Sequence, residues 1–120
     1  MRTVVGCGLL LSMFECAASV VPQDLLTARS AYDRALHGLT ATVDPADLYV
    51  AKETLDAAEK SFADHGDTGE TRDLAYTADR QVQIAESHTR TVQAARDLNA
   101  SQAASARATS ALVEKSATNR

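Results

Sequence analysis

Asp64, His65 and Asp67 place two carboxylates and an imidazole within four positions of the sequence. These groups are common ligands of divalent metal ions, so the segment is a candidate cation site. A structural interpretation explains the same residues: Asp64 and His65 end one helix, Gly66 makes the turn and Asp67 caps the next helix. No calcium-loop spacing follows. We therefore favour the structural interpretation and expect no metal site and no cofactor.

Other residues with catalytic side chains lack partners at a suitable spacing. Neither His37 nor His88 has a second histidine or a cysteine at metal-ligand spacing. Glu53, Asp56 and Glu59 are three residues apart, which is more typical of the solvent face of a helix than of an acid–base pair. Nucleophile-elbow, Ser-x-x-Lys and glycine-rich phosphate motifs are absent from the sequence. We expect no enzymatic activity and no small-molecule substrate.

The N-terminus has the layout of a secretory signal. Residues 1–3 carry one positive charge, residues 4–14 are mostly apolar, and small residues follow at 16–19. A membrane-spanning helix needs about 20 apolar residues, so this run is too short to span. We predict that residues 1–18 are a signal peptide and that the protein is exported to the periplasm. The alternative is that residues 4–14 form a buried helix or strand of the domain.

Both cysteines of the chain, Cys7 and Cys16, lie in this segment. Bacterial lipoproteins carry their lipid anchor on a cysteine just after the apolar run, which makes Cys16 a candidate lipidation site. Glu15 departs from that pattern, where a small residue normally precedes the cysteine, and Cys7 has almost no apolar run before it. Two alternatives stay open: lipidation at Cys16, which tethers the protein to the outer membrane, and cleavage after Ala18.

Composition and charge exclude several classes of protein. The chain has 120 residues and a net charge of −4, whereas nucleic-acid binders normally carry a basic surplus. Alanine supplies 23 residues and tryptophan none, so little side-chain volume is available to line a large enzyme pocket. Residues 44–88 hold eleven acids and four bases, and residues 89–120 hold two acids and five bases. Without a tight basic cluster, solvated helix faces explain this division better than a docking surface.

Apolar residues at steps of three and four predict a first helix after Pro22, with Asp24 in its first turn. The stripe ends near His37 and Gly38. It consists of Leu25, Ala28, Tyr32, Ala35, Leu36 and Leu39.

The second helix has the clearest start. Asp44 is a typical N-cap, Pro45 suits the first helical position and Asp47 adds an acid to the first turn. The helix is predicted to end at His65, with Gly66 as the terminating residue. Its apolar stripe consists of Leu48, Ala51, Leu55, Ala58 and Phe62.

A third helix is predicted to begin after Asp67 or Thr68 as cap and to reach about Lys115, because no glycine or proline occurs after Gly69. At 1.5 Å per residue it is about 70 Å long, against about 25 to 30 Å for each of the others. Its stripe consists of Ala75, Ala78, Val82, Ala85, Thr89, Val92 and Ala95. Beyond Leu98 no large apolar residue occurs until Leu112, so this part frays, pairs as a thin coiled coil, or leads into a further domain.

The predicted fold class is therefore all-α. Two short helices pack on one long, alanine-rich third helix as an antiparallel helical hairpin or three-helix bundle, and the long helix extends as a coiled-coil-like stalk. Residues 22–98 are the predicted three-helix domain, and residues 99–120 are a helical extension or linker rich in alanine, serine and threonine.

Residues 66–80, together with residues 45–48 and 28–32, resemble a helical domain of unknown function found in Gram-negative envelope proteins. The most specific part is the run Asp-Thr-x-Glu-Thr-Arg-Asp-Leu-Ala-Tyr at residues 67–76. The similarity covers about residues 17–95. It implies a lipoprotein-type signal before the domain, and a long alanine-rich helix and an OmpA-like peptidoglycan-binding domain after it. No OmpA-like segment stands in this sequence, and the resemblance implies no catalytic residues.

Arg72, Tyr76 and Arg80 are four residues apart and share one side of the predicted third helix. They are our candidate contact surface, either stacked on one another within the protein or offered to a partner.

These observations predict a non-enzymatic spacer or adapter of the cell envelope. Its expected partners are other envelope proteins or a second copy bound through the long helix, with membrane contact only through the lipid anchor and no nucleic acid. The alternative is a protein-binding module of the helical-repeat type, although one pair of helices is fewer than the three or so that such arrays need.

Overall fold

A computed structural model describes residues 20–120 of the chain and contains four helices in that range. They are α1 (Gln23–Leu36), α2 (Thr40–Val43), α3 (Pro45–His65) and α4 (Gly69–Thr118). The described residues contain no strand, so the predicted all-α class is confirmed, with one long helix packed on shorter ones. The predictions for residues 1–18, including Cys16, lie outside the described residues.

Local capping chemistry sets the bounds of α3 as predicted. Asp44 is its N-cap and accepts a hydrogen bond from the Asp47 backbone N–H at 3.4 Å, and Pro45 occupies the first helical position. At the other end Gly66 has φ 71°, a left-handed conformation that favours glycine, and its N–H donates to the Phe62 carbonyl at 2.8 Å. The chain therefore leaves α3 in a fixed direction.

The start of α4 is fixed by two threonines. Thr68, one of the two predicted caps, accepts a hydrogen bond from the Thr71 N–H at 3.2 Å. The hydroxyl of Thr71 donates to the Gly66 carbonyl at 3.0 Å, and its oxygen lies 2.8 Å from that of Ser61. Thr71 is fully buried, so it connects the turn, α3 and α4 from inside the protein.

The end of the first helix differs from the prediction. Helix α1 ends at Leu36, where the Gly38 N–H bonds to the Ala35 carbonyl and tightens the last turn, and the unpredicted helix α2 follows. The prediction that Leu36 and Leu39 belong to the buried stripe is wrong: they are 45% and 63% exposed. The turn at Gly38 redirects the chain, and Thr40 takes the buried position instead.

The core is thin and consists mainly of alanine. Helices α1, α3 and α4 all contact one another. Small side chains let the helix backbones approach closely, so a core of little volume still excludes water. Two ion pairs tie α1 to its neighbours, Arg29 to Glu59 on α3 and Arg34 to Glu86 on α4. The buried apolar residues are Leu25, Ala28, Ala31, Ala35, Leu48, Ala51, Leu55, Ala58, Ala75, Ala78, Val82 and Ala85.

Burial along α4 stops before the helix does. Thr89 is its last buried residue, and every residue from 94 to 118 is exposed. The predicted stripe continued to Ala95, but Ala95 is exposed. The covering helices end too early, because the α2–α3 junction at Asp44 already contacts α4 at His88. We call residues 94–118 the exposed arm; its 25 residues span about 37 Å at 1.5 Å per residue.

Candidate functional site

The predicted contact residues Arg72, Tyr76 and Arg80 all lie on the exposed surface of α4, and Tyr76 is 59% exposed. Arg72 donates two hydrogen bonds to Asp67, at 2.7 and 2.6 Å, which holds the pKa of that carboxyl below its usual value. Arg80 donates to the Gln83 amide oxygen at 2.8 Å. The structure places the three residues on one exposed side, and their role in a contact stays a prediction.

The α3–α4 turn contains the predicted ligand residues Asp64, His65 and Asp67. Asp64 pairs with Lys60, and this contact lowers the pKa of the Asp64 carboxyl. Asp67 pairs with Arg72. Both carboxylates therefore already have a cationic partner.

A second group of metal-ligating side chains, which the sequence did not reveal, lies at the other end of α3. Asp44, Asp47 and His88 each bring one ligand atom to within 4.8 Å of the others. His88 Nδ1 lies 2.8 Å from Asp44 Oδ2, and Asp44 Oδ1 accepts the capping bond from Asp47. Asp44 is buried, whereas the other two side chains are exposed. We call these three residues the junction cluster, because they join the α2–α3 junction to α4.

The hydrogen bond from His88 lowers the pKa of the Asp44 carboxyl, and burial opposes that effect. The capping bond from the Asp47 N–H lowers it further. Among the ion pairs of residues 20–120, neither Asp44 nor Asp47 is paired with a lysine or an arginine. The junction cluster therefore differs from the α3–α4 turn, where Lys60 and Arg72 neutralise the carboxylates of Asp64 and Asp67.

One signal in the sequence could have identified the junction cluster. In an antiparallel helical hairpin, residues at equal distances from the turn face each other, because both helices rise by the same length per residue. Asp44 lies 22 positions before Gly66 and His88 lies 22 positions after it. Ser61 and Thr71, each five positions from Gly66, obey the same relation. Motif spacing along the chain does not reveal such a pair.

A shallow groove of about 120 Å³ lies beside the junction cluster and is lined by Asp47, Val50, Gln81 and Ile84. Val50 and Ile84 are 46% and 61% exposed, so the groove has an open apolar wall. The Gln81 Oε1 atom is buried and has no hydrogen-bond partner among the described residues. The groove could hold only a small group or a single side chain of a partner.

The exposed arm has no covering element among residues 20–120. Its large apolar side chains are few and open to solvent, with Leu112 at 70% and Val113 at 62%. Several of its hydroxyls bond to backbone carbonyls of the preceding turn: Ser105 to Ser101, Thr109 to Ser105, and Ser110 to Ala106. The surface that the arm offers is thus narrow, and many of its polar groups are satisfied within the helix.

No described helix has the length and apolar character needed to cross a membrane. A family model described as Domain of unknown function (DUF4398) matches residues 23–101, from the start of α1 into the exposed arm. No curated protein and no solved structure matches the chain.

Proposed function

This chain belongs to the DUF4398 family, and from that starting point we propose that it is a non-enzymatic helical spacer or adapter of the cell envelope. The observation that carries the proposal is the exposed arm. The first half of α4 packs against α1 and α3. The second half projects about 37 Å beyond them with no covering element.

The composition of the arm supports a role as a spacer. The helicity of a segment without tertiary packing rises with its length and with the intrinsic helix propensity of its residues. Alanine, the strongest helix former, supplies nine of residues 94–118. The arm is thus suited to holding an extended shape without burying apolar surface, which a globular binding domain cannot do.

Small side chains also suit the arm to pairing. Alanine and serine let two helix backbones approach closely, so a second helix can pack along the arm as a thin coiled coil. In this proposal the finer topology is an antiparallel three-helix bundle whose third helix continues as a coiled-coil-like stalk. The partner is another envelope protein or a second copy of the chain.

Export and anchoring form the other part of the proposal. The apolar run at residues 4–14 and the small residues after it support a signal peptide, and Cys16 supports a lipid anchor in the outer membrane. The resemblance to envelope proteins that carry an OmpA-like domain after the long helix supports a position of the arm between a membrane anchor and a cell-wall-binding domain.

One observation favours the alternative, a binding module of the repeat type. Tyr49, Val50 and Ile84 expose apolar surface on the outside of α3 and α4, with Tyr49 at 61% and Ile84 at 61%. A further helical pair stacked on α3 and α4 would cover such side chains.

Photo-crosslinking in a Gram-negative host separates these functions. The full chain carries a photoreactive residue at Ala103 in the arm or at Ile84 on the domain, and the cells are fractionated after irradiation. The spacer proposal predicts that the chain is in the envelope fraction and crosslinks from Ala103 to an envelope protein or a second copy. A cytoplasmic chain would contradict it, and crosslinks from Ile84 alone would favour the repeat-type module.

A further inference from the structure

We propose that Asp44, Asp47 and His88 bind a divalent transition-metal ion of the zinc class at the base of the exposed arm. An imidazole nitrogen with two carboxylate oxygens is a typical donor set for zinc, cobalt or nickel, whereas calcium and magnesium prefer oxygen ligands alone. Three protein ligands leave coordination positions for water.

The distances in the junction cluster fit one ion after small rotations. Metal–ligand bonds of about 2.1 Å place two ligands of a tetrahedral ion about 3.4 Å apart. His88 Nδ1 and Asp44 Oδ2 are 2.8 Å apart, and the three ligand atoms lie within 4.8 Å of one another. The exposed Asp47 side chain is free to rotate toward the other two without disturbing the core.

Asp44 can bind an ion without giving up its structural role. Its Oδ1 atom accepts the capping hydrogen bond, and its Oδ2 atom faces His88. The positive end of the α3 dipole opposes a cation here, but two carboxylates without a lysine or arginine partner outweigh about half a unit charge.

The α3–α4 turn provides a comparison within the same chain. Asp64, His65 and Asp67 offer the same residue types, yet Lys60 and Arg72 already neutralise the two carboxylates. A metal ion there would have to displace two cations, so His65 serves as the matched control for His88.

A bound ion would join α4 to the α2–α3 junction one residue before Thr89, the last buried residue of α4. It would therefore fix the base of the exposed arm relative to the domain.

The test uses the full chain without a histidine tag and with Cys7→Ser and Cys16→Ser in every sample, because cysteine thiolates are zinc ligands in general. Zn²⁺ is titrated by calorimetry, and Co²⁺ is titrated by its visible absorption, which reports nitrogen and oxygen ligation. We expect one ion per chain, a rise in Tm with Zn²⁺, and a loss of affinity of at least tenfold in His88→Gln. His65→Gln should bind as the parent does.

Asp47→Asn keeps the proposal testable should His88→Gln fail to fold. The Asp47 side chain takes part in neither the capping bond nor the His88 contact, so this variant should still fold, with at most a few degrees lost from the metal-free Tm for the missing first-turn charge, and should lose at least tenfold in Zn²⁺ affinity. Absence of binding at millimolar Zn²⁺, or equal affinity in Asp47→Asn and the parent, would overturn the proposal and leave the junction cluster as a structural tie only.

Discussion

The hydroxyl oxygens of Ser61 and Thr71 lie 2.8 Å apart inside the packing between α3 and α4. Both side chains are buried, and Thr71 also donates to the Gly66 carbonyl. A polar contact at this depth fixes how the two helices meet, because sliding either helix would leave buried hydroxyls without partners.

Replacing Thr71 by valine tests this contact. The variant keeps the β-branched shape but leaves the buried Ser61 hydroxyl without its partner and removes one of the two hydrogen bonds to the Gly66 carbonyl, which keeps the bond from the Thr68 N–H. Leaving such buried groups unsatisfied should cost about 1–3 kcal/mol in the free energy of unfolding, measured by urea denaturation. Thr77→Val is the control, because Thr77 is exposed on the same helix and bonds only to the Asp73 carbonyl. Equal stability of the two variants would show that the contact does not fix the helix pair.

The alanine core makes a second prediction. Ala75 is fully buried where α4 packs against α1 and α3, so Ala75→Leu must push the helices apart. Overpacking of this kind should lower the free energy of unfolding by about 1–3 kcal/mol. Ala104→Leu adds the same atoms to the exposed arm and should change stability by no more than about 0.5 kcal/mol. A tolerated Ala75→Leu would mean that the helices are not in close contact there.

The Asp67–Arg72 pair predicts a dependence on pH. The hydrogen bonds from Arg72 hold the folded-state pKa of Asp67 below its ordinary value of 3.8. The pair therefore contributes stability that is present above pH 3.8 and is lost as the pH falls through the lower folded pKa. We expect the Tm difference between the parent and Asp67→Asn to be constant from pH 7 to pH 5 and to shrink below pH 3.8. A difference that stays constant down to pH 2.5 would contradict this role of Asp67.

Local chemistry explains which parts of the fold were predictable. The Asp44–Pro45 start of α3 and its glycine stop at Gly66 depend on residues within one turn, so the sequence alone was sufficient. The exposure of Leu36 and Leu39 was not predictable in this way. A stripe shows which side of a helix is apolar, but it does not show where the neighbouring helices end.

The candidate sites also divide into one that the spacing of residues along a helix reveals and one that only the register of two helices reveals. Arg72, Tyr76 and Arg80 were recognised because they are regularly spaced along one helix, and the structure places them on one exposed side. Asp44 and His88 were not recognised as a pair, because their contact depends on the register of two helices about Gly66. Candidate pairs of this kind become visible only when residues are counted outward from the turn.

Whether the exposed arm is a continuous helix is the central question for a spacer. Spin labels are attached at Thr91→Cys and Ser116→Cys in a chain with Cys7→Ser and Cys16→Ser. Pulsed electron paramagnetic resonance then measures the distance between the two labels, and added unlabelled protein suppresses distances between chains. The 25 intervening steps predict a narrow distribution near 37 Å for a helix. A broad distribution centred at about 28 Å, the distance expected of a flexible chain of that length, would contradict the account.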